Sequence, residues 1–370
     1  MATSLPPLLV MALALVLSVA LVPVARRLAH GVGVLDAPGP RKVHDAPTPR
    51  TGGIAVFVSF TVVVVAGYLA APYLAHVPAI ETAFGPAIAL LQEAHRVESK
   101  LVGVLVGATL AFAVGLADDI LGNRFPVWLK AAGQVLAALV LIAADVRTSF
   151  LPYDWMNTAV TLLWLVGVTN AFNLLDNMDG LSAGVAFVAS GVLLINAWLL
   201  GEFFISLILV AFMGSLLGCL VYNWSPASIF LGDCGSLFIG YMMASLTLLE
   251  RYVSHASSSY FAVMMPVLVL AVPLLDTATV VVIRVREGRP IYVGDSRHLS
   301  HRLVSLGLRP RSAVLVIHLI TFSLGLGAVS LADATPVETL LVLLQSLGIV
   351  TLVLILLFFE RRAVPRREAA

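Results

Sequence analysis

Uncharged stretches rich in Val, Leu and Ala recur along the whole chain, and this repetition constrains the fold more than any other feature. A helix that crosses a bilayer needs about 20 apolar residues. Runs of that kind fall near 4–25, 51–71, 101–117, 127–144, 158–173, 182–200, 203–222, 237–249, 260–283, 312–331 and 338–359. The 237–249 run is short and is read as borrowing residues from the motif before it. Inside lipid every backbone polar group needs an internal partner, so such runs read as helices. Charged residues make up 12% of the 370 positions, about half the ~25% of a soluble domain, too few to cover a water-exposed surface. The expected fold class is therefore all-α: a polytopic integral membrane bundle of about eleven transmembrane helices, one membrane-embedded domain over 1–370. A soluble enzyme and a disordered chain are excluded. With 22 Lys+Arg against 21 Asp+Glu, there is no basic excess for nucleic acid. Cys219 and Cys234 are too few for a disulfide scaffold and read as free thiols.

An odd number of spans puts the termini on opposite faces, and basic residues decide which is which. With the N-terminus outside, the inner side holds Arg26, Arg27, Arg41, Lys42, Arg50, Arg124, Lys130, the arginines from Arg284 to Arg311 and those of the tail. Only Arg96, Lys100, Arg147 and Arg251 fall outside. The C-terminus is then cytoplasmic. Arg26-Arg27 follow the first run instead of preceding it, so that run reads as an uncleaved first span.

A charge at the bilayer centre costs about 2.5–3.5 kcal/mol on insertion scales, so acids in such a chain need a reason. Several collect at inner helix ends: Asp118-Asp119 after the third run, Asp176 and Asp179 in Asn170-Ala171-Phe172-Asn173-Leu174-Leu175-Asp176-Asn177-Met178-Asp179-Gly180, and Asp233 in Phe230-Leu231-Gly232-Asp233-Cys234-Gly235-Ser236. Asp276 lies within the ninth run, about two turns from Arg284. Taken singly, each has a bland reading: a solvated helix end, an Asp-Gly turn, an N-cap, an ion pair between Asp276 and Arg284 or another arginine. Independent caps would scatter over both faces; these share one. With few cations nearby in sequence, they repel one another unless a metal or a cationic substrate group intervenes. Asp and Asn oxygens suit Mg²⁺ or Mn²⁺, which take one or two carboxylates plus substrate phosphates. Asn170, Asn173 and Asn177 follow i, i+3, i+7 spacing and are expected on one helical face.

The inner loop 284–311 supplies the opposite sign. His298 and His301 in Asp295-Ser296-Arg297-His298-Leu299-Ser300-His301-Arg302 are three apart and on a helix would share a face, with Arg302 beside them. Imidazole and guanidinium make a donor-rich anion site; the plainer alternative is a basic loop on anionic lipid headgroups. The first inner loop, from Arg41-Lys42-Val43-His44 to Arg50-Thr51-Gly52-Gly53, ends in a glycine pair that can bring backbone amides to a phosphate. An acidic, metal-suited cluster beside cationic loops at the cytosolic surface fits a pyrophosphate substrate, and the surrounding bundle implies that the other substrate is a lipid. A secondary transporter or lipid flippase with an acidic proton relay is the alternative, but such sites lie near the midplane in repeated, broken helices and the chain has no evident repeat.

These four blocks, in this order, resemble the polyprenyl-phosphate N-acetylhexosamine-1-phosphate transferases, from Lys42-Val43-His44 to His301-Arg302-Leu303. The resemblance implies a Mg²⁺-dependent enzyme (Mn²⁺ as substitute) of the bacterial cytoplasmic membrane. It would transfer a sugar-1-phosphate from a UDP-sugar to polyprenyl (undecaprenyl) phosphate, release UMP and initiate a cell-envelope glycan. It implies Asp118, Asp119 and Asp233 as catalytic residues, with Asp233 and Asn173 on the metal and Asp118 or Asp119 as base toward the acceptor phosphate. Lys42, His44, Asn170, Asp176, Asp179, His298, His301 and Arg302 would bind substrate. Ser300 stands where relatives often carry a further histidine, and the absence of three consecutive histidines favours a UDP-N-acetylglucosamine-type donor. The resemblance leaves room for a homodimer.

Overall fold

In the computed structural model the structure describes residues 5–36, 47–74, 98–252, 260–290, 297–332 and 334–363. They fall into two compact units, Met1–Arg251 and Tyr252–Ala370. The apolar runs fold into helices as expected. In the first unit these are α1 (Leu5–Val32), α2 (Gly52–Leu74), α3 (Glu98–Leu121), α4 (Val127–Ala143), α5 (Asp154–Leu175), α6 (Leu181–Leu199), α7 (Phe203–Asn223) and α8 (Gly232–Leu249). A two-residue antiparallel pair, β1 (Leu35–Asp36) with β2 (Thr48–Pro49), lies between α1 and α2.

Among the described residues nine helices are long and apolar enough to span a membrane, and the all-α polytopic class stands. Two of the expected runs differ. The 127–144 run forms α4, an apolar helix of 17 residues and shorter than a full span. The 260–283 run is broken: a 3₁₀ turn (Tyr260–Met264), α9 (Met265–Val269) and α10 (Ala271–Arg286) replace one helix. Pro273 has no N–H to give to Val269 and its ring crowds that carbonyl, which accounts for the break at Leu270. The second unit continues with α11 (Leu299–Ser305), α12 (Pro310–Val329) and α13 (Pro336–Ala363).

Helix α8 is the axis of the first unit, with 83% of its residues buried. It packs against α2, α3 and α5, and its Phe238 ring meets Phe57, Phe60 and Phe212 at centroid distances of 5.4, 5.8 and 6.0 Å. Close helix approach is set by small residues: a Cβ on Gly115 of α3 would lie 2.2 Å from the Asp233 carbonyl oxygen. That contact brings the last turn of α3 against the first turn of α8, and so sets two of the acidic motifs side by side. As expected, α8 begins inside the Gly-rich motif, at Gly232.

Candidate active site

Polar groups from four helices of the first unit gather at one of their ends. Asp118 and Asp119 occupy the last turn of α3, Lys130 the first turns of α4, Asn173 the last turn of α5, and Asp233 the first turn of α8. Lys130 Nζ lies 2.7 Å from Asp118 Oδ2, 2.8 Å from Asp233 Oδ2 and 3.4 Å from Asn173 Oδ1. Asn173 Nδ2 donates to Asp233 Oδ1 at 2.7 Å and to Ser236 Oγ at 2.8 Å. Side chains from four separate stretches thus place three oxygens on one cationic atom. The Asp118, Lys130 and Asp233 side chains are 18%, 18% and 22% exposed, so the cluster is lined by protein yet open to a ligand.

The adjacent Asp119 is arranged differently. Its side chain is fully buried, with Oδ1 accepting the Asp233 amide and Oδ2 the Cys234 amide, both at 2.9 Å. Arg50 Nη2 stands 3.7 Å from Asp119, and Arg50 Nη1 3.9 Å from Asp36. Burial alone would lower the Arg50 pKa; the surrounding Asp119, Asp233, Asp36 and Asp176 outweigh it and raise it. Asp176, half-buried just past α5, is pushed up to about 8, chiefly by loss of hydration and then by the charge of Asp233.

Several expectations change here. The acids do not lack cations: Lys130 and Arg50 stand among them. Lys130 is the only charged residue of an otherwise apolar helix, a pattern that marks function within a membrane, but the sequence reading counted it only toward topology. The Gly52-Gly53 amides are not free for a phosphate. They donate to Phe230 O and Leu231 O at 2.8 and 2.9 Å, while Phe230 N donates to Pro49 O at 2.8 Å. The glycines instead permit close packing, since a Cβ on Gly53 would sit 2.2 Å from the Gly235 nitrogen. Asn177 lies beyond the end of α5, so the asparagine stripe has two helical members. Of these, Asn170 pairs with buried Gln134 of α4, one turn on from Lys130: Asn170 Nδ2 donates to Gln134 Oε1 at 2.5 Å and Gln134 Nε2 to Asn170 Oδ1 at 3.4 Å. Asp179 Oδ2 accepts the Ala227 amide at 3.0 Å, and Asn223, buried, accepts from Gly180 N and donates to Ile229 O. Asp179 thus ties two loops together. Both cysteines are free and buried. Lys42 and His44 lie outside the described residues.

In the second unit, Asp276 of α10 does not turn to Arg284. Its Oδ2 lies 2.7 Å from His298 Nδ1 and its Oδ1 accepts the Leu299 amide at 2.7 Å. A carboxylate has nothing to donate, so the proton sits on Nδ1. Helix α11 starts at Leu299, with His298 as its N-cap residue and His301 in its first turn. His298 and Arg302 are buried, whereas His301 is half-buried. Burial lowers the His301 pKa, with His298 adding to the effect and Asp276 opposing it.

The donor set fits a hard divalent cation. Oxygens of Asp118, Asn173 and Asp233 already surround one positive atom. Among the described residues no three His, Cys, Asp or Glu side chains could hold an ion alone; Mg²⁺ takes one or two carboxylates and completes its shell from water and phosphate.

Comparison with known proteins identifies the family. Residues 101–250, which carry Asp118, Asp119, Lys130, Asn173 and Asp233, match the profile of glycosyl transferase family 4. The chain is 34% identical over 322 residues (85% of this chain, 81% of the relative) to a probable undecaprenyl-phosphate N-acetylglucosaminyl 1-phosphate transferase of Bacillus subtilis. It is 32% identical over 359 residues (89% and 84%) to a decaprenyl-phosphate N-acetylglucosaminephosphotransferase of Mycobacterium tuberculosis. A third relative, undecaprenyl-phosphate alpha-N-acetylglucosaminyl 1-phosphate transferase of Escherichia coli O157:H7, is 27% identical over 313 residues (80% and 76%). With identity above 30% across more than four-fifths of both chains, this protein belongs to glycosyl transferase family 4, among the polyprenyl-phosphate N-acetylhexosamine-1-phosphate transferases.

Proposed function

We propose that this protein transfers N-acetylglucosamine-1-phosphate from UDP-N-acetylglucosamine to a polyprenyl phosphate at the cytosolic face of the bacterial cytoplasmic membrane, releasing UMP. The observation that carries the reading is the convergence of Asp118, Asn173 and Asp233 on Lys130 Nζ. An oxygen of the lipid phosphate attacks the β-phosphorus of the donor, and the bond from that phosphorus to the oxygen it shares with UMP breaks. One phosphoanhydride replaces another, so the step is near-isoenergetic, reversible and independent of ATP.

Asp233 and Asn173 are the residues that would hold Mg²⁺, with Asp118 adjacent; Mn²⁺ suits the same oxygens. When bound, the ion offsets negative charge that builds on the transferred and leaving phosphates. Lys130 supplies a second cation able to follow a phosphate oxygen, since its flexible stem leaves the ammonium three rotatable donors. Asp118 stands where it can take a proton from the acceptor. A phosphate monoester has a second pKa near 6, so that duty is light at neutral pH. The excess of Lys and Arg in the loops on one side supports an N-terminus outside and a site on the cytosolic side.

The transporter alternative gains nothing from the relatives, each of which is named a transferase, and the polar cluster sits at helix ends. The deciding assay supplies membranes bearing the protein with labelled UDP-N-acetylglucosamine, undecaprenyl phosphate and Mg²⁺. UMP release with a chloroform-soluble labelled product, abolished by EDTA and restored by excess Mg²⁺, is the expected result. No lipid-linked product under any UDP-N-acetylhexosamine would overturn the assignment.

A further inference from the structure

The two neighbouring aspartates at the end of α3 do different jobs. Asp118 is partly exposed and bonds to a side chain, Lys130. Asp119 is fully buried and bonds to backbone: one oxygen takes the amide of Asp233, the other that of Cys234. These are among the first amides of α8, which have no carbonyl inside the helix to accept them. A carboxylate here both satisfies two orphan donors and complements the positive end of an 18-residue helix. The other side of the same segment is pinned by the strand-like bonds from Gly52, Gly53 and Pro49 to Phe230 and Leu231.

We infer that Asp119 is a positioning residue: it fixes the backbone of residues 233–234 so that the Asp233 carboxylate meets Asn173 and Lys130, and it neither touches substrate nor serves as the base. Both of its oxygens are engaged from below the site, and its side chain offers no surface to a ligand. With its side chain fully buried, a proton acceptor or metal ligand in that place would have no exposed oxygen to present. This deepens the proposed transferase reading and rests on it only for the assays of turnover.

The inference separates capping from charge. Asparagine keeps one carbonyl oxygen for an amide but has no negative charge and no basicity. In the full-length protein, purified in nanodiscs, Asp119→Asn should keep kcat within about tenfold of wild type, while Asp119→Ala loses at least another tenfold, a spread in line with the energetics of caps. KM for UDP-N-acetylglucosamine should stay within about twofold in Asp119→Asn and the pH profile of kcat should keep its shape, since nothing that titrates in turnover has been removed. Asp118→Asn should be no better than Asp118→Ala. Hydrogen exchange gives a readout independent of turnover: the peptide spanning residues 230–236 should exchange about tenfold faster in Asp119→Ala than in wild type or Asp118→Ala. Asp119→Asn no more active than Asp119→Ala, or unchanged exchange over 230–236 in Asp119→Ala, would overturn the inference. If the wild-type protein makes no lipid-linked sugar, the transferase reading fails while the exchange comparison still decides the role of Asp119.

Discussion

Each of the two compact units contains an aspartate that accepts backbone amides at the start of a later helix, and what surrounds it differs. In the first unit Asp119 takes the amides of Asp233 and Cys234, and next to it Asp118, Lys130 and Asp233 remain about one-fifth exposed. In the second, Asp276 takes the Leu299 amide and closes onto His298, with side chains only 1% and 4% exposed. The first is a supported, open charge cluster; the second is a buried joint. The contrast teaches that two aspartates with the same backbone task differ in what their surroundings leave open. Burial of both partners, not residue type, separates the two.

The largest effect should follow from breaking the open cluster. Asp233→Asn removes the carboxylate shared by Lys130 and Asn173, and activity should fall by about a thousandfold or more, the scale on which transition-state charge is stabilised in phosphoryl transfer. The melting temperature should remain close to wild type because the cap on α8 comes from Asp119. A rate within tenfold of wild type would remove Asp233 from the chemistry.

Lys130→Met comes next. Methionine keeps an unbranched stem but leaves Asp118 and Asp233 facing each other without their shared cation. We expect a loss of about 100-fold, with Lys130→Arg less impaired. An unaffected rate in purified protein would make the lysine a resting counter-ion only. This residue also shows what was hidden in the sequence. The helices and the gathering of aspartates at helix ends were legible, because apolar runs and lipid leave few other solutions and because charges in such runs are costly. Lys130 was not legible: its partners lie 12, 43 and 103 positions away, and no local pattern encodes that distance. The splitting of Asp118 from Asp119 was hidden for the same reason, since only packing at Gly115 decides which carboxylate turns toward the amides of α8. The partner of His298, Asp276, lies 22 positions away and was hidden in the same way.

Disrupting the buried joint should cost less. Asp276→Asn can still accept the Leu299 amide, but its amide group can only donate to the ring, which forces the proton of His298 from Nδ1 to Nε2. A loss of activity of about tenfold is expected, on the scale seen when the partner that orients a functional histidine is changed. Asp276→Ala should add destabilisation of about 1–3 kcal/mol, because it strands a buried ring nitrogen and an amide. Equal melting temperatures for wild type and Asp276→Ala would mean that the joint holds nothing.

The smallest effect lies at the other end of the first unit, where Glu250 follows the last turn of α8. Only 5% exposed, it accepts Asn196 Nδ2 at 2.8 Å through Oε1, beside a neighbouring ion pair of Arg251 with Glu202. Burial, against the Asn196 bond but with the charge of Glu202, pushes its pKa from an ordinary 4.5 up to about 8. The folded protein then binds a proton that the unfolded chain has released between those values, so stability falls as pH rises from about 4.5 to about 8 and levels off above. Glu250→Gln has the shape of the protonated acid, keeps an oxygen for Asn196 and cannot ionise. At about pH 5 the two proteins should melt alike; as pH rises the wild type should lose ground until the variant is the more stable of the two. Parallel melting curves across that range would place Glu250 among ordinary hydrated carboxylates, and would leave the acids at the site end as the ones whose surroundings change their chemistry.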